Sequence, residues 1–245
     1  MEDEVNTPEQ NLMLDAVNNG DLDEVKRLLP SIENAHDIWI DGGNSLLYHS
    51  INDYDMNIFE YIAKNTDWVR ENDPPFLLEV IEHGNYTEYV IETILKYIED
   101  INVTDYNGNT ALMLIINDII ANMNKYGNIS ELYMSVINLL LRHGADPWIK
   151  NIYHDNSIML VCYSEIVNLA EILLNANTPV KHFVDISLLN RVVLVNNYDL
   201  IELLLKHVKD INERENGNMS LLDVALASHI DPDIIELLRL SGAVG

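Results

Sequence analysis

Large apolar side chains recur in adjacent pairs along the chain, at Leu28-Leu29, Tyr61-Ile62, Ile94-Leu95, Leu140-Leu141, Leu173-Leu174, Leu204-Leu205 and Leu237-Leu238. The steps between successive pairs are 33, 33, 46, 33, 31 and 33 residues. A period in this range marks a repeat architecture, in which each unit is one supersecondary element. Each pair lies at the heart of a stretch that reads as a helix. A second marker precedes it, a small hydroxyl residue followed by apolar positions, as in Ser45-Leu46-Leu47 to Ser50 and Thr110-Ala111-Leu112 to Ile115. The hydroxyl suits an N-cap, whose oxygen accepts a hydrogen bond from a backbone NH that would otherwise go unpaired. A first helix is therefore predicted ahead of each apolar pair. The two helices are joined by short polar turns such as Asn19-Gly20-Asp21, His83-Gly84-Asn85 and Asn196-Asn197-Tyr198-Asp199. Gly and Asn tolerate the left-handed backbone angles such turns need.

The predicted unit is thus a helical hairpin. The predicted whole is an all-α solenoid of seven stacked hairpins, fourteen principal helices with little sheet. It reads as a single domain over 1–245, with approximate repeats 8–40, 41–73, 74–104, 105–150, 151–183, 184–214 and 215–245. One hairpin cannot bury both sides of its apolar stripe, so it must stack on its neighbours and share stability with them. The end units face water on one side and are expected to be polar there. Asp21, Asp23, Glu24, Lys26 and Arg27 supply such a face in the first unit, and Asp231, Asp233, Glu236 and Arg239 in the last.

LLLRHGADPWIKN at 139–151 resembles the end of an ankyrin repeat, and DYNGNTALMLI at 105–115 resembles the start of one. NNGDLDEVKRLL at 18–29, NNYDLIELLLKH at 196–207 and MSLLDVALAS at 219–228 are similar to other parts of the same pattern. The resemblance runs from about Gln10 to Ala243. The repeats are divergent. The family's TPLH tetrapeptide stands nowhere, and its place is taken by Ser45-Leu46-Leu47-Tyr48, Thr110-Ala111-Leu112-Met113, Ser157-Ile158-Met159-Leu160 and Ser220-Leu221-Leu222-Asp223. In the fourth unit an insertion near 119–130, IIANMNKYGNIS, either lengthens the helices or projects as a loop. The third unit lacks a turn glycine before Pro74-Pro75, and the fifth has no Asp-x-x-Gly lead-in. The sequence ends at SGAVG, where a further hairpin would begin. The expectation is that no additional domain follows, and that the F-box-like segment many viral ankyrin proteins append is absent.

Composition narrows the function. Against 14 Lys and Arg stand 40 Asp and Glu, a formal charge of −26 that repels phosphates and anionic membranes at long range and favours basic partners. The same charge also serves simply to keep a helical surface solvated. The single cysteine, Cys162, cannot form an intramolecular disulfide, which suits a reducing compartment, cytoplasmic or nuclear. The N-terminal MEDEVNTPEQ has no basic residue and does not read as a signal or transit peptide. Apolar runs break well short of the roughly 20 residues a spanning helix needs. Heavy use of Asn, Ile, Asp and Tyr is what an AT-rich genome gives, such as that of a large DNA virus, an intracellular bacterium or a protist.

Catalytic and cofactor signatures are not found. The ten glycines form no GxxxxGK[ST] and no GxGxxG, no HExxH occurs, and no acid run follows the EF-hand order. His83 and His143 precede turn glycines and read as turn residues. Cys162 falls where the ankyrin pattern places a small alanine between the helices, a core position. No catalysis, no cofactor and no metal are expected.

The resemblance implies a binding module that meets a protein partner on its concave face and hairpin loops. Trp39, Trp68 and Trp148 all fall between predicted hairpins, joined by Tyr106 and Tyr153. Large aromatics on exposed loops are the side chains most enriched at binding hot spots. The other reading is that each Trp packs beneath its hairpin, and one ring can do both. Asp37, Asp41, Asp67, Glu71, Asp73, Asp105, Asp146 and Asp155 lie around these aromatics. The candidate partner-binding residues are Trp39, Trp68, Tyr106, Trp148, Tyr153, Asp41 and Asp105. A monomer that binds a basic protein surface is expected, with no direct nucleic acid and no membrane, in the setting of a viral or bacterial factor acting on a host protein. The alternative is an acidic mimic of nucleic acid that occupies a DNA- or RNA-binding protein, and the loop tryptophans favour the first.

Overall fold

The computed structural model describes residues 6–32, 45–51, 56–71, 75–84, 86–126, 129–176, 183–214 and 219–245. Among the described residues seven helical pairs follow one another: α1 (Pro8–Asn18) with α2 (Leu22–Leu28), α3 (Leu46–His49) with α4 (Asn57–Asn65), then a short α5 (Trp68–Glu71), α6 (Phe76–His83) with α7 (Glu88–Ile94), and α8 (Ala111–Tyr126) with α9 (Glu131–Arg142). The last three are α10 (Ser157–Tyr163) with α11 (Val167–Leu174), α12 (Ile186–Val195) with α13 (Tyr198–Leu205), and α14 (Leu221–Ala227) with α15 (Pro232–Leu240). Among the described residues there is no strand beyond two isolated bridges, Thr104 with Thr110 and Val184 with Val208. The fold is all-α and built of stacked helical hairpins, as the 33-residue period predicts. Every apolar pair that defined the period lies in or directly after a second helix and buries at least one member.

The chain packs as two compact units, residues 1–115 with 127–145, and residues 116–126 with 146–245. In the first, α3 lies against both α1 and α6, α2 lies against α4, and α7 against α9. Phe59 of α4 stacks on Phe76 at 5.5 Å between ring centroids and meets Tyr97 edge-on at 5.8 Å. In the second, α10, α12 and α14 form one row of helices and α11, α13 and α15 another. Ile158, Val161, Leu189, Val192, Leu200 and Leu204 are buried between the rows.

Polar side chains tie successive hairpins within each unit. Asn102 donates through Nδ2 to the Gly144 carbonyl at 3.2 Å. Asn212 repeats the contact with Gly242 at 2.9 Å and also accepts from the Val244 NH at 2.9 Å. Both asparagines follow Asp-Ile, and each aspartate accepts the asparagine's own NH, at 2.8 Å from Asn102 and 2.9 Å from Asn212. Gly144 and Gly242 have φ of +93° and +92°, the left-handed region where a side chain is strained.

A third tie is a buried carboxylate. Glu79 of α6 accepts from both the NH and the hydroxyl of Ser45, each at 2.9 Å, while Ser45 caps α3 by accepting from the Tyr48 NH at 3.1 Å. The Nε2 atom of His49, at the end of α3, is buried with no partner. Burial lowers the His49 pKa below the ordinary 6.5, and the nearby Glu79 carboxylate opposes this more weakly. His207 is lowered too, by burial and then by Lys206. In both cases the unfolded chain binds a proton that the folded chain resists, so stability falls as pH drops below about 6.5. Urea unfolding at pH 7.5 and 5.5 should show this loss, and a His49→Gln, His207→Gln double variant should show a smaller one. An unchanged pH slope in that variant would rule out the two histidines as its source.

Three sequence expectations need correction or completion. The fifth first helix is not capped by a hydroxyl at Ser157. Asn156 caps it, accepting from the Met159 NH at 2.9 Å, and Ser157 sits one residue inside with its hydroxyl buried and unpartnered. The insertion in the fourth unit resolves toward helix lengthening, because α8 has 16 residues where the other first helices have 11 or fewer. The left-handed turn residue between the helices of a pair is Gly20, Gly84 and Asn196 as expected, but Glu165 and His229 take the same role at φ +58° and +55°. Asn85 lies outside the described residues.

Candidate interaction surface

Two turns that precede first helices are built alike. In the first unit, Asp105 Oδ1 accepts from the backbone NH groups of Asn107 at 2.8 Å and Asn109 at 2.7 Å, and Oδ2 accepts from Asn109 Nδ2 at 3.0 Å. The Gly108 NH donates to the Asp105 carbonyl at 2.9 Å, with Gly108 at φ +77°. In the second unit, Asn151 Oδ1 accepts from the NH groups of Tyr153 and Asp155, both at 3.0 Å, and the His154 NH donates to the Asn151 carbonyl at 2.9 Å with His154 at φ +64°. The Asp-x-x-Gly lead-in missing from the fifth unit is therefore present as Asn-x-x-His. An amide oxygen accepts as a carboxylate does, and His is among the residues that visit the left-handed region most readily.

These turns hold their tips outward. Tyr106 is 79% exposed and Tyr153 67% exposed, with Ile152 exposed beside Tyr153. Asp105 is half-buried and spent on closing its loop, so its role is to shape the tip that carries Tyr106. The tryptophans divide differently. Trp68 opens the helix α5 and is 4% exposed, in the apolar packing of the first unit, where it shares the wall of a groove with Leu29, Pro30, Ile32 and Tyr61. It is therefore not an aromatic standing on an open loop, because α5 turns it inward. Trp148 is half-buried, and its NH donates to Asp146 Oδ1 at 2.9 Å. Trp39 and Asp41, with Asp37 and Asp73, lie outside the described residues.

Residues that sequence reasoning passed over also reach the surface. Phe183 and Met219 are exposed in the segments leading to α12 and α14, and Leu194 is exposed on α12 itself. Their signal in the sequence is weak, because an apolar residue next to a helix start reads equally well as core. The buried thiol of Cys162 is pushed up to about 12 by desolvation, so it stays protonated at neutral pH and packs as a small apolar group. Among the described residues no three His, Cys, Asp or Glu side chains gather where they could hold a metal ion, and no helix is long and apolar enough to cross a membrane.

The family model for the ankyrin repeat matches residues 107–152, which span the tip of the Asp105 turn, α8, α9, the Gly144-Ala145 turn and the start of the Asn151 turn. No curated protein matches the chain. Paired helices at a 33-residue period, left-handed glycines closing the second helices and side-chain-anchored turns before the first ones agree with that match, and the chain is an ankyrin-repeat protein.

Proposed function

We propose that the chain is a non-catalytic module that binds a basic protein surface through its hairpin tips and the open face of its first helices. Ankyrin repeats are in general protein-protein interaction modules and non-enzymatic scaffolds. The observation that carries the finer reading is the presentation of Tyr106 and Tyr153 on side-chain-anchored turns in a chain of 40 acids and 14 bases. A held aromatic loses little conformational freedom on binding and fits a hot-spot role, while the acids steer a basic partner and speed its association. Trp148 with Asp146 supports the rim of the tip region, and Trp39 and Asp41 belong to the same proposal. A viral or bacterial factor that modulates a host protein is the setting we favour, so host lysate is the source for capture.

Tyr106→Ala and Tyr153→Ala are each expected to weaken the complex with a captured partner by about 2 kcal/mol, mainly through faster dissociation. Removing single rim acids should chiefly slow association, and association should fall as salt rises. Surface plasmon resonance on folded variants reads both. Unchanged binding by both tyrosine variants rejects the tip reading, and binding lost only when many acids are removed together points to the nucleic-acid mimic.

A further inference from the structure

The polar face expected of the last hairpin is interrupted by apolar side chains. Asp231, Asp233, Glu236 and Arg239 are exposed, but Leu240 beside Arg239 is 78% exposed, the most open large apolar side chain described in the second unit. Counted back from the left-handed glycines Gly144 and Gly242, Leu240 stands where α9 has Arg142, and half-buried Ile235 stands where α9 has the fully buried Ile137. Ile235, Glu236, Arg239 and Leu240 share one face of α15. At 3.6 residues per turn they fall within an arc of about 140°, on the side away from the buried Ile234 and Leu238. Elsewhere an acid and a base at such spacing pair within their helix, Arg27 with Glu24 three places apart and Lys206 with Glu202 four places apart. Glu236 and Arg239 are three places apart and do not pair, and neither side chain has another partner among the described residues.

We infer that two copies of this chain pair tail to tail through this face of α15, with the two helices antiparallel, in place of the monomer expected from the sequence. The order along the face is apolar, acid, base, apolar, and it is its own complement when reversed. A two-fold axis between Leu237 and Leu238 sets Ile235 of each copy against Leu240 of the other, and Glu236 of each against Arg239 of the other. A two-fold contact demands just such a self-complementary patch, whereas an unrelated partner would not. The guanidinium can meet the facing carboxylate with two parallel N–H donors, and no existing ion pair has to break. Besides Glu236, the described part of this hairpin holds three acids, Asp223, Asp231 and Asp233. Screening over about 8 Å at physiological salt limits the repulsion from acids elsewhere in the chain.

Sedimentation equilibrium of the full chain over about 1–200 μM covers the affinity of a contact this small and should show monomers and dimers in exchange. Leu240→Asp is expected to weaken self-association at least about tenfold, because it removes apolar area and places a charge in the contact. Arg239→Glu and Glu236→Arg should each abolish it, since each sets like charges opposite one another. An equimolar mixture of those two variants should dimerise again, because both charge pairs are then complementary. That rescue is specific to the two-fold arrangement. Circular dichroism confirms that each variant, altered only at an exposed position, keeps its helices. A chain that stays monomeric throughout the range, a dimer that Leu240→Asp leaves intact, or a mixture that fails to dimerise would overturn the inference. The measurement uses no outside partner, so its failure leaves the reading of the hairpin tips untouched, and Tyr106→Ala should leave self-association unchanged.

Discussion

Trp68→Ala should lower the stability of the chain by about 3–5 kcal/mol, the range for truncating a large buried aromatic. The ring is 4% exposed, and the residues beside it, Leu29, Pro30, Ile32 and Tyr61, come from two successive hairpins. Its removal leaves a void between hairpins that depend on one another for burial. Urea unfolding followed by circular dichroism reads the loss. A fall below about 1 kcal/mol would place Trp68 outside the load of the core, and if partner binding weakened at the same time, the residue would return to the interaction surface.

Glu79→Ala should cost about 2–3 kcal/mol, because it strips the NH and hydroxyl of Ser45 of their shared acceptor inside the protein. The effect is larger than for an ordinary cap. Helix α3 has only four residues, too few to persist without tertiary support, and Glu79 holds its N-cap residue, Ser45, from the neighbouring hairpin. Glu79→Gln keeps the shape and one acceptor and should lose less. A double-mutant cycle with Ser45→Ala should give a coupling of about 1–3 kcal/mol, as expected for directly bonded partners. Additive losses would mean that the carboxylate acts by filling space and not by bonding Ser45.

The repeat was legible because stacking forces a rule on the sequence: each second helix must bury an apolar pair at the same place, so the pairs recur at the period of the fold. Ser45 and Ser220 were legible as caps for the same kind of reason, a short side-chain oxygen before an apolar run. What was not legible depended on chemically different residues doing one job. Asn151 and His154 replace an aspartate and a glycine in their turn, and Glu165 and His229 replace glycine between helices, so a search for the family's letters passes over them. Trp68 follows the other of the two readings given for the tryptophans, packing beneath its hairpin, and which reading holds was not legible. It stands between two predicted hairpins, but four residues there wind into α5 and carry the ring under the surface. At the candidate surface, the tyrosine tips followed from sequence, whereas the hydrogen bond from Arg191 of α12 to Tyr163 of α10 needed the stacking register to bring residues 28 apart together.

The turns at Asp105 and Asn151 close through one side-chain oxygen, a left-handed residue and the backbone NH groups of Asn107, Asn109, Tyr153 and Asp155. Every residue except proline supplies such an NH. Loop closure thus places no demand on the side chains at 106, 152 and 153, the ones that reach furthest into solvent. If the tips bind as proposed, their specificity can be reassigned by randomising those positions while the anchors keep the same loop, because the residues that close the turn and the residues that face a partner are different ones.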